Sequence, residues 1–266
     1  MNTVPDLSIL SERPAASAMP RARVIGAYLQ EMRSECLRYL RNPGFVLPTL
    51  MFPTIFYLMF GVFLARSNSA EAARYLLAAY STFGVMAPGL FGFGVSLAAE
   101  RENGLLTLKR ALPMPPAAYL VGKMSMAVVM AAVVVTLLVL IATFVAHLPL
   151  TATQIAHLYL VQLPGVLPFC ALGLLLGTLV KGQGAPAIIN LVYLPMAFLS
   201  GLWFPLSGLP HAVQAFAPVL PAFHLNLLAL DAVDLAQVNP LPHALLLAAF
   251  TVGLLALAAR RLRRNG

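Results

Sequence analysis

The sequence predicts an all-α membrane protein. It reads as six transmembrane helices, an N-terminal amphipathic helix lying in the membrane interface, and outer re-entrant helices between spans five and six. Three observations carry this reading. Of 266 residues, 60% are hydrophobic and 10% charged, against roughly 25% charged in an ordinary globular domain, so a soluble fold would lack a charged shell. No Asp, Glu, Lys or Arg falls within 45–65, 75–99, 124–180, 182–230 or 235–259. Finally, the basic residues divide fifteen to two between alternate loops when both termini are placed in the cytoplasm, as the positive-inside rule requires.

The elements follow in order. Residues 1–20 are rich in Ser, Pro and Ala and read as disordered. They lack an apolar core, so they do not read as a signal peptide, and span one is expected to serve as an uncleaved insertion signal. In 21–44, Ile25, Tyr28, Leu29, Met32, Cys36 and Tyr39 recur at helical spacing, with Arg33, Arg38 and Arg41 among the polar residues between them. That pattern is too polar to span and suits a helix flat on the cytoplasmic interface. Asn42-Pro43-Gly44 breaks it.

A span needs about 20 apolar residues, at about 1.5 Å rise each, to cross a core of about 30 Å. The first, second and last charge-free runs each hold one such helix, and the two longer runs must fold back. The spans are placed at about 45–65, 75–98, 120–146, 158–180, 185–204 and 242–260. His147-Leu148-Pro149 ends span three, Thr151 to Gln154 makes a polar turn, and Lys181 to Gly184 makes another. The 205–241 segment is apolar but broken by Pro205, Gly208, Pro210, Pro218, Pro221 and Pro240, too often for any piece to cross a bilayer. A basic tail, 261–266, closes the chain. Cys36 and Cys170 read as free thiols.

Several function classes lose ground at this stage. The net charge of +8 reflects topology and contact with anionic lipid, because no basic domain is available to hold nucleic acid. The phosphate-cradling Gly-x-x-x-x-Gly-Lys-Ser/Thr pattern is missing from the sequence, so energy must come from a partner or a gradient. Ion-coupled carriers usually keep ionisable groups within their spans; here Gln162 and Asn190 are the main strongly polar side chains there. A membrane enzyme has only weak support: Asp231 and Asp234 make an Asp-x-x-Asp pair in an outer loop, and all five histidines fall on the outer side. No metal site is expected.

The longest cytoplasmic loop reads Glu100-Arg101-Glu102-Asn103-Gly104-Leu105-Leu106-Thr107-Leu108-Lys109-Arg110-Ala111-Leu112-Pro113. Asn103 is placed to cap a short helix and Pro113 to stop it. Leu105, Leu108 and Leu112 share one face, with Lys109 elsewhere. From the residues alone, a helix docking into a partner's groove and a helix capping the bundle at the lipid surface stand equal.

With its following Gly122-Lys123, this stretch resembles the membrane subunits of ABC-2-type ABC transporters. So do Arg41-Asn42-Pro43 before span one and Ser200-Gly201-Leu202-Trp203-Phe204-Pro205 after span five. Leu105 stands where that family commonly has a small polar residue. The resemblance implies an export permease of bacterial-type inner membrane, with no cofactor of its own. It would work as a homodimer or heterodimer beside two cytoplasmic ABC ATPase subunits that bind ATP and Mg. It also implies that Glu100, Arg101, Glu102, Gly104, Leu105, Leu108 and Lys109 form a coupling helix seated in the ATPase, with 21–44 as the connecting helix. Tyr80, Ser81 and Thr82 of span two and Asn190, Tyr193 and Ser200 of span five are the candidates for lining the path. Close packing between helices is the competing reading for those six, and for the Gly173/Gly177 pair in span four.

Overall fold

A computed structural model describes residues 20–64, 70–111 and 115–265. The expectations for residues 1–19, Arg66 and Leu112–Pro113 lie outside them. The described residues contain no strand. They form α1 (Arg21–Leu40), α2 (Pro43–Phe56), a π-helical stretch (Tyr57–Leu64), α3 (Ala70–Glu102), α4 (Leu105–Ala111) and α5 (Pro116–Phe144). There follow α6 (Ala152–Gly165), α7 (Leu167–Leu179), α8 (Ala185–Leu199), α9 (His211–Phe216), α10 (Pro221–Ala232) and α11 (Pro240–Asn265).

Among the described residues, five helical segments are long and apolar enough to cross a membrane: Pro43–Phe63, Ala70–Glu102, Ala117–Phe144, Ala152–Leu179 and Pro240–Arg261. α8 is apolar but has 15 residues, only ~22 Å of helix, and Ser200–Phe204 beyond it is non-helical. Span five is thus shorter than the sequence suggests, because Gly201 takes a positive φ of 77° and turns the chain. The Pro-broken region folds as two short helices meeting at 92°, His211–Val219 and Pro221–Ala232.

Local chemistry explains where the helices begin and end. Pro43, Pro116, Pro168 and Pro221 occupy first turns, where the missing N–H costs nothing. Thr151 and Gln154 form a reciprocal capping box that starts α6, so the expected polar turn is a helix cap. α5 ends at Phe144, and the chain turns away just beyond it at His147, whose φ of 51° is left-handed. α6 and α7 are one span interrupted at Gly165–Val166, next to Pro164.

α3 is the axis of the bundle. Its apolar window is 83% buried, whereas that of α11 is 11% buried and sits at the periphery. The tightest seam lies between α3 and α7. A Cβ on Gly173 would stand 2.6 Å from the Gly89 carbonyl oxygen, and one on Gly177 would stand 2.8 Å from that of Gly94. The backbones touch because these glycines have nothing to interpose, the small-residue mode of packing in lipid. Gln162 adds a polar tie, its amide donating to Ser81 Oγ (2.8 Å) and Thr82 Oγ1 (2.9 Å). At the far end from α1 and α4, Arg74 donates to the Pro149 carbonyl (3.0 Å) and Gln154 to Asp234 (2.6 Å).

Gly173→Val should force α7 off α3 and cost about 1–3 kcal/mol, the range for overpacking a filled interior. Thermal unfolding in detergent should show a clear fall in Tm for this variant, and little change for Gly253→Val, where a Cβ meets nothing within 4 Å.

Candidate functional site

Six charges meet at one end of the bundle. α1 supplies Glu31, Glu35 and Arg38, which its helical repeat places on one face. The last turns of α3 bring Ser96 and Glu100, one turn apart, and the first turns of α5 bring Tyr119 and Lys123, likewise one turn apart. α4 adds Lys109.

The contacts are dense. Lys123 Nζ, with no exposed surface, donates to Glu35 (3.2 Å), Glu100 (3.0 Å) and Ser96 Oγ (2.7 Å). Arg38 bridges Glu35 (2.6 Å) and Glu100 (2.5 Å). Lys109 donates to Glu35 (2.9 Å) and to Glu31. Tyr119 donates its hydroxyl to Glu100 (2.7 Å), and its ring lies 4.6 Å from Lys109 Nζ and 5.1 Å from Lys123 Nζ. Three carboxylates thus balance three cations. Burying such groups is tolerable only because each is paired and hydrogen-bonded.

Gly122 makes the approach possible. A Cβ there would stand 2.9 Å from Glu31 Cγ and 3.3 Å from the Glu31 backbone, so any larger residue would hold α1 away from α5. Gly122-Lys123 therefore has a physical reading: close approach from the first residue, charge from the second.

Burial alone would raise the Glu35 carboxyl, but the charges of Lys123 and Arg38 and the hydrogen bond from Lys109 outweigh it and hold it below its ordinary 4.5. For Lys109, burial acts to lower the ammonium, and hydrogen bonds to Glu31 and Glu35 overcome it and lift it above its ordinary 10.5. Both shifts say that folding favours the charged forms.

The expected coupling residues separate into two sets. Glu100 and Arg101 belong to α3, which runs on to Glu102, so the helix expected over 100–112 begins only at Leu105. Glu100 is buried in the cluster, and Arg101 donates to the carbonyls of Gly177 (3.0 Å) and Thr178 (2.8 Å) at the end of α7, a favourable place for a cation. Glu102 and Gly104 are exposed. Gly104 has φ of 70°, a conformation that is strained for L side chains. Leu105 and Leu108 point outward, 40% and 65% exposed, while Lys109 reaches inward. Arg33 on α1 and Arg41, which caps its end, are exposed.

The path candidates also divide. Tyr80, Ser81 and Thr82 are buried, with Ser81 and Thr82 turned to Gln162 and Tyr80 stacked on Phe56 at 6.0 Å. Asn190 and Tyr193 border a cavity of about 580 Å³ between α2, α3 and α8. Tyr193 donates to the Phe83 carbonyl (3.0 Å). Ser200 is buried beside this region. The two aspartates of the Asp-x-x-Asp pair serve separate partners, Asp231 accepting from the Val238 N–H (3.1 Å) and Asp234 from Gln154 (2.6 Å).

A family model described as ABC-2 type transporter matches residues 28–231. The chain belongs to the ABC-2 type transporter family. A relative is the Bacillus subtilis (strain 168) protein YvfS, which carries the name of a transport permease. It is 30% identical over 196 residues, covering 73% of this chain and 80% of the relative. This ABC-2 chain is therefore a multi-pass transport permease, and the matched residues include the whole charge cluster.

Sequence reasoning missed Glu31, Glu35 and Lys123 as a site. A signal existed: Lys123 stands at the edge of a long apolar run, and a cation there demands a partner.

Lys123→Met should leave Glu35 and Glu100 with fewer buried partners and cost about 3–5 kcal/mol, read as a lowered Tm. The pH response has a definite sign. Because the Glu35 carboxyl is depressed, its contribution is full above 4.5 and is lost as pH falls through the depressed value. Because Lys109 is raised, its contribution is full below 10.5 and is lost as pH climbs through the raised value. Reaction of the half-buried Cys36 with 4,4′-dithiodipyridine should thus stay slow across neutral pH and accelerate below 4.5.

Proposed function

We propose that this permease is the membrane half of an ATP-driven exporter. It sits in a bacterial-type inner membrane with both termini in the cytoplasm, as a homodimer or heterodimer alongside two copies of an ABC ATPase. Membrane subunits of this family pair with such an ATPase, and ATP and Mg belong to that partner. The observation that carries the reading is the two-sidedness of α4. One face shows Leu105 and Leu108 to the outside, and Lys109 is bonded to α1. A short helix with an apolar outer face suits a groove in a partner, and its inner tether joins it to α1, α3 and α5 through the charge cluster.

Orientation follows from charge. Arg38, Lys109 and Lys123 gather at one end, as the positive-inside rule expects of the cytoplasmic side, and Arg74 lies at the other with Pro149. The cargo is hydrophobic or amphipathic, a drug, a lipid-linked molecule or a polysaccharide precursor. The reading is supported by the apolar and aromatic border of the α2–α3–α8 cavity.

The test is ATP-dependent transport by the chain purified with its ATPase. Gly104→Arg and Leu108→Asp should reduce coupled ATP hydrolysis and transport at least tenfold while the permease stays folded. Transport that persists without ATP and follows an ion gradient would identify a secondary carrier instead.

A further inference from the structure

Two cavities lie along α3, the smaller against α1 and the start of α2, the larger against α2 and α8. The smaller, about 210 Å³, rests against the charge cluster and is bordered by Arg38, Asn42 and Asn103. The larger, about 580 Å³, follows α2 from Gly44 to Phe56, ~18 Å at the helical rise and so more than half of a ~30 Å hydrocarbon core. Phe45 and Phe91 border both cavities, and both side chains are half-buried.

The partition between the cavities is held from α1. Tyr39 borders the smaller cavity and stacks on Phe45 with ring centroids 6.3 Å apart. Its hydroxyl is hydrogen-bonded to that of Thr49 (3.0 Å), which borders the larger cavity. Phe91 meets Tyr193 edge-on at 5.5 Å.

We propose that Tyr39, Phe45 and Phe91 form a gate between a polar vestibule and an apolar groove, and that movement of α1 works it. The proposal rests on the permease reading above and names the residues that control admission to its path. Tyr39 lies one residue beyond Arg38 and one turn beyond Glu35, so it shares a rigid helix with the charge cluster. The break at Arg41–Asn42 separates that helix from α2. A shift of α4 pulls α1 through Lys109 and slides Tyr39 off Phe45 without unwinding either helix.

The chemistry of the two compartments defines what passes. The vestibule offers donors from Arg38, whose side chain is 44% exposed, and from the amides of Asn42 and Asn103, while its carboxylates, Glu35 and Glu100, are paired with Lys123 and Arg38. The groove offers mostly aromatic and aliphatic surface, with the Asn190 amide and the already bonded hydroxyls of Thr49 and Tyr193 as its polar groups. The matching occupant is an amphipath: a head that accepts hydrogen bonds and an apolar body.

Thiol labelling in inside-out membrane vesicles tests the gate, in a chain carrying Cys36→Ser and Cys170→Ala. Ala87→Cys places a thiol in the groove, one turn from Phe91, and Asn103→Cys places one in the vestibule. A charged, membrane-impermeant methanethiosulfonate should label the vestibule thiol quickly and the groove thiol slowly. Adding Phe45→Ala with Phe91→Ala should speed groove labelling at least tenfold and leave vestibule labelling unchanged. Tyr39→Phe, which loses only the bond to Thr49, should give a smaller rise. Phe45→Leu with Phe91→Leu keeps most of the volume and replaces the Ala pair if that pair fails to fold. Fast groove labelling in the parent, or equal slow labelling in the gate variants, overturns the proposal. The labelling needs neither ATP nor ATPase, so failure of the gate and failure of the permease reading are separate results.

Discussion

A lysine ammonium withdrawn from water at the edge of a membrane span sets the terms for the rest of this structure. Lys123 has no exposed surface, and an unpaired cation there would be prohibitively costly. Its neutralisation requires Glu35 from α1 and Glu100 from α3 at once. Those carboxylates are themselves buried and need Arg38 and Lys109. One buried charge thereby obliges four helices to meet, and removal of any member leaves the others uncompensated. The network is costly to disturb, which makes it a stiff joint.

That joint stands in contrast to the packing elsewhere. The α3–α7 seam is rigid for a different reason, backbone contact across glycines. α2, α8 and α11 instead show large apolar surfaces: Leu47, Met51 and Phe52 on α2, Leu191 on α8, and Leu245 and Val252 on α11 are all mostly or half exposed. Tyr193 ties α8 to the axis through the Phe83 carbonyl (3.0 Å), but among the described residues no ion pair reaches α2, α8 or α11, and lipid or a second subunit can satisfy their apolar faces. A stiff α1–α4 lever beside α2 and α8, held without ion pairs, is the arrangement needed to turn a push on a surface helix into a change in a membrane cleft.

Much of the fold was legible because it follows from lipid as solvent. The charge-free runs mark the long helices, although α6 starts at Ala152 rather than near 158, and His147-Leu148-Pro149 lies just past the end of α5 at Phe144. The misreadings have physical causes. α3 runs to Glu102 and α4 starts at Leu105, near the expected cap Asn103, so Glu100 to Glu102 belong to the span rather than to the short helix; the buried partners of Glu100 are not displayed by a single sequence. α8 ends early because Gly201 turns the chain. On α1, the apolar stripe reads as a lipid-facing surface, and Ile25 and Leu29 are 60% exposed, whereas Glu35 from the polar side is buried, which the stripe does not foretell. The polar face packs because its partners are cations rather than water, and periodicity alone carries no information on that choice. Ser81 and Thr82 read from the sequence as path candidates with packing as the competing reading, and both accept from Gln162, a partner 80 or more residues away that local pattern does not indicate.

The central claim is that charge pairing fastens α4 to the bundle through α1. The direct measurement is the distance distribution between spin labels at Leu105→Cys on α4 and Arg33→Cys on α1, both exposed, in a chain lacking its native cysteines. The account predicts one narrow population at neutral pH and a broad or multiple one in Lys123→Met. A distribution that stays narrow and unshifted in Lys123→Met, in a folded protein, would contradict it.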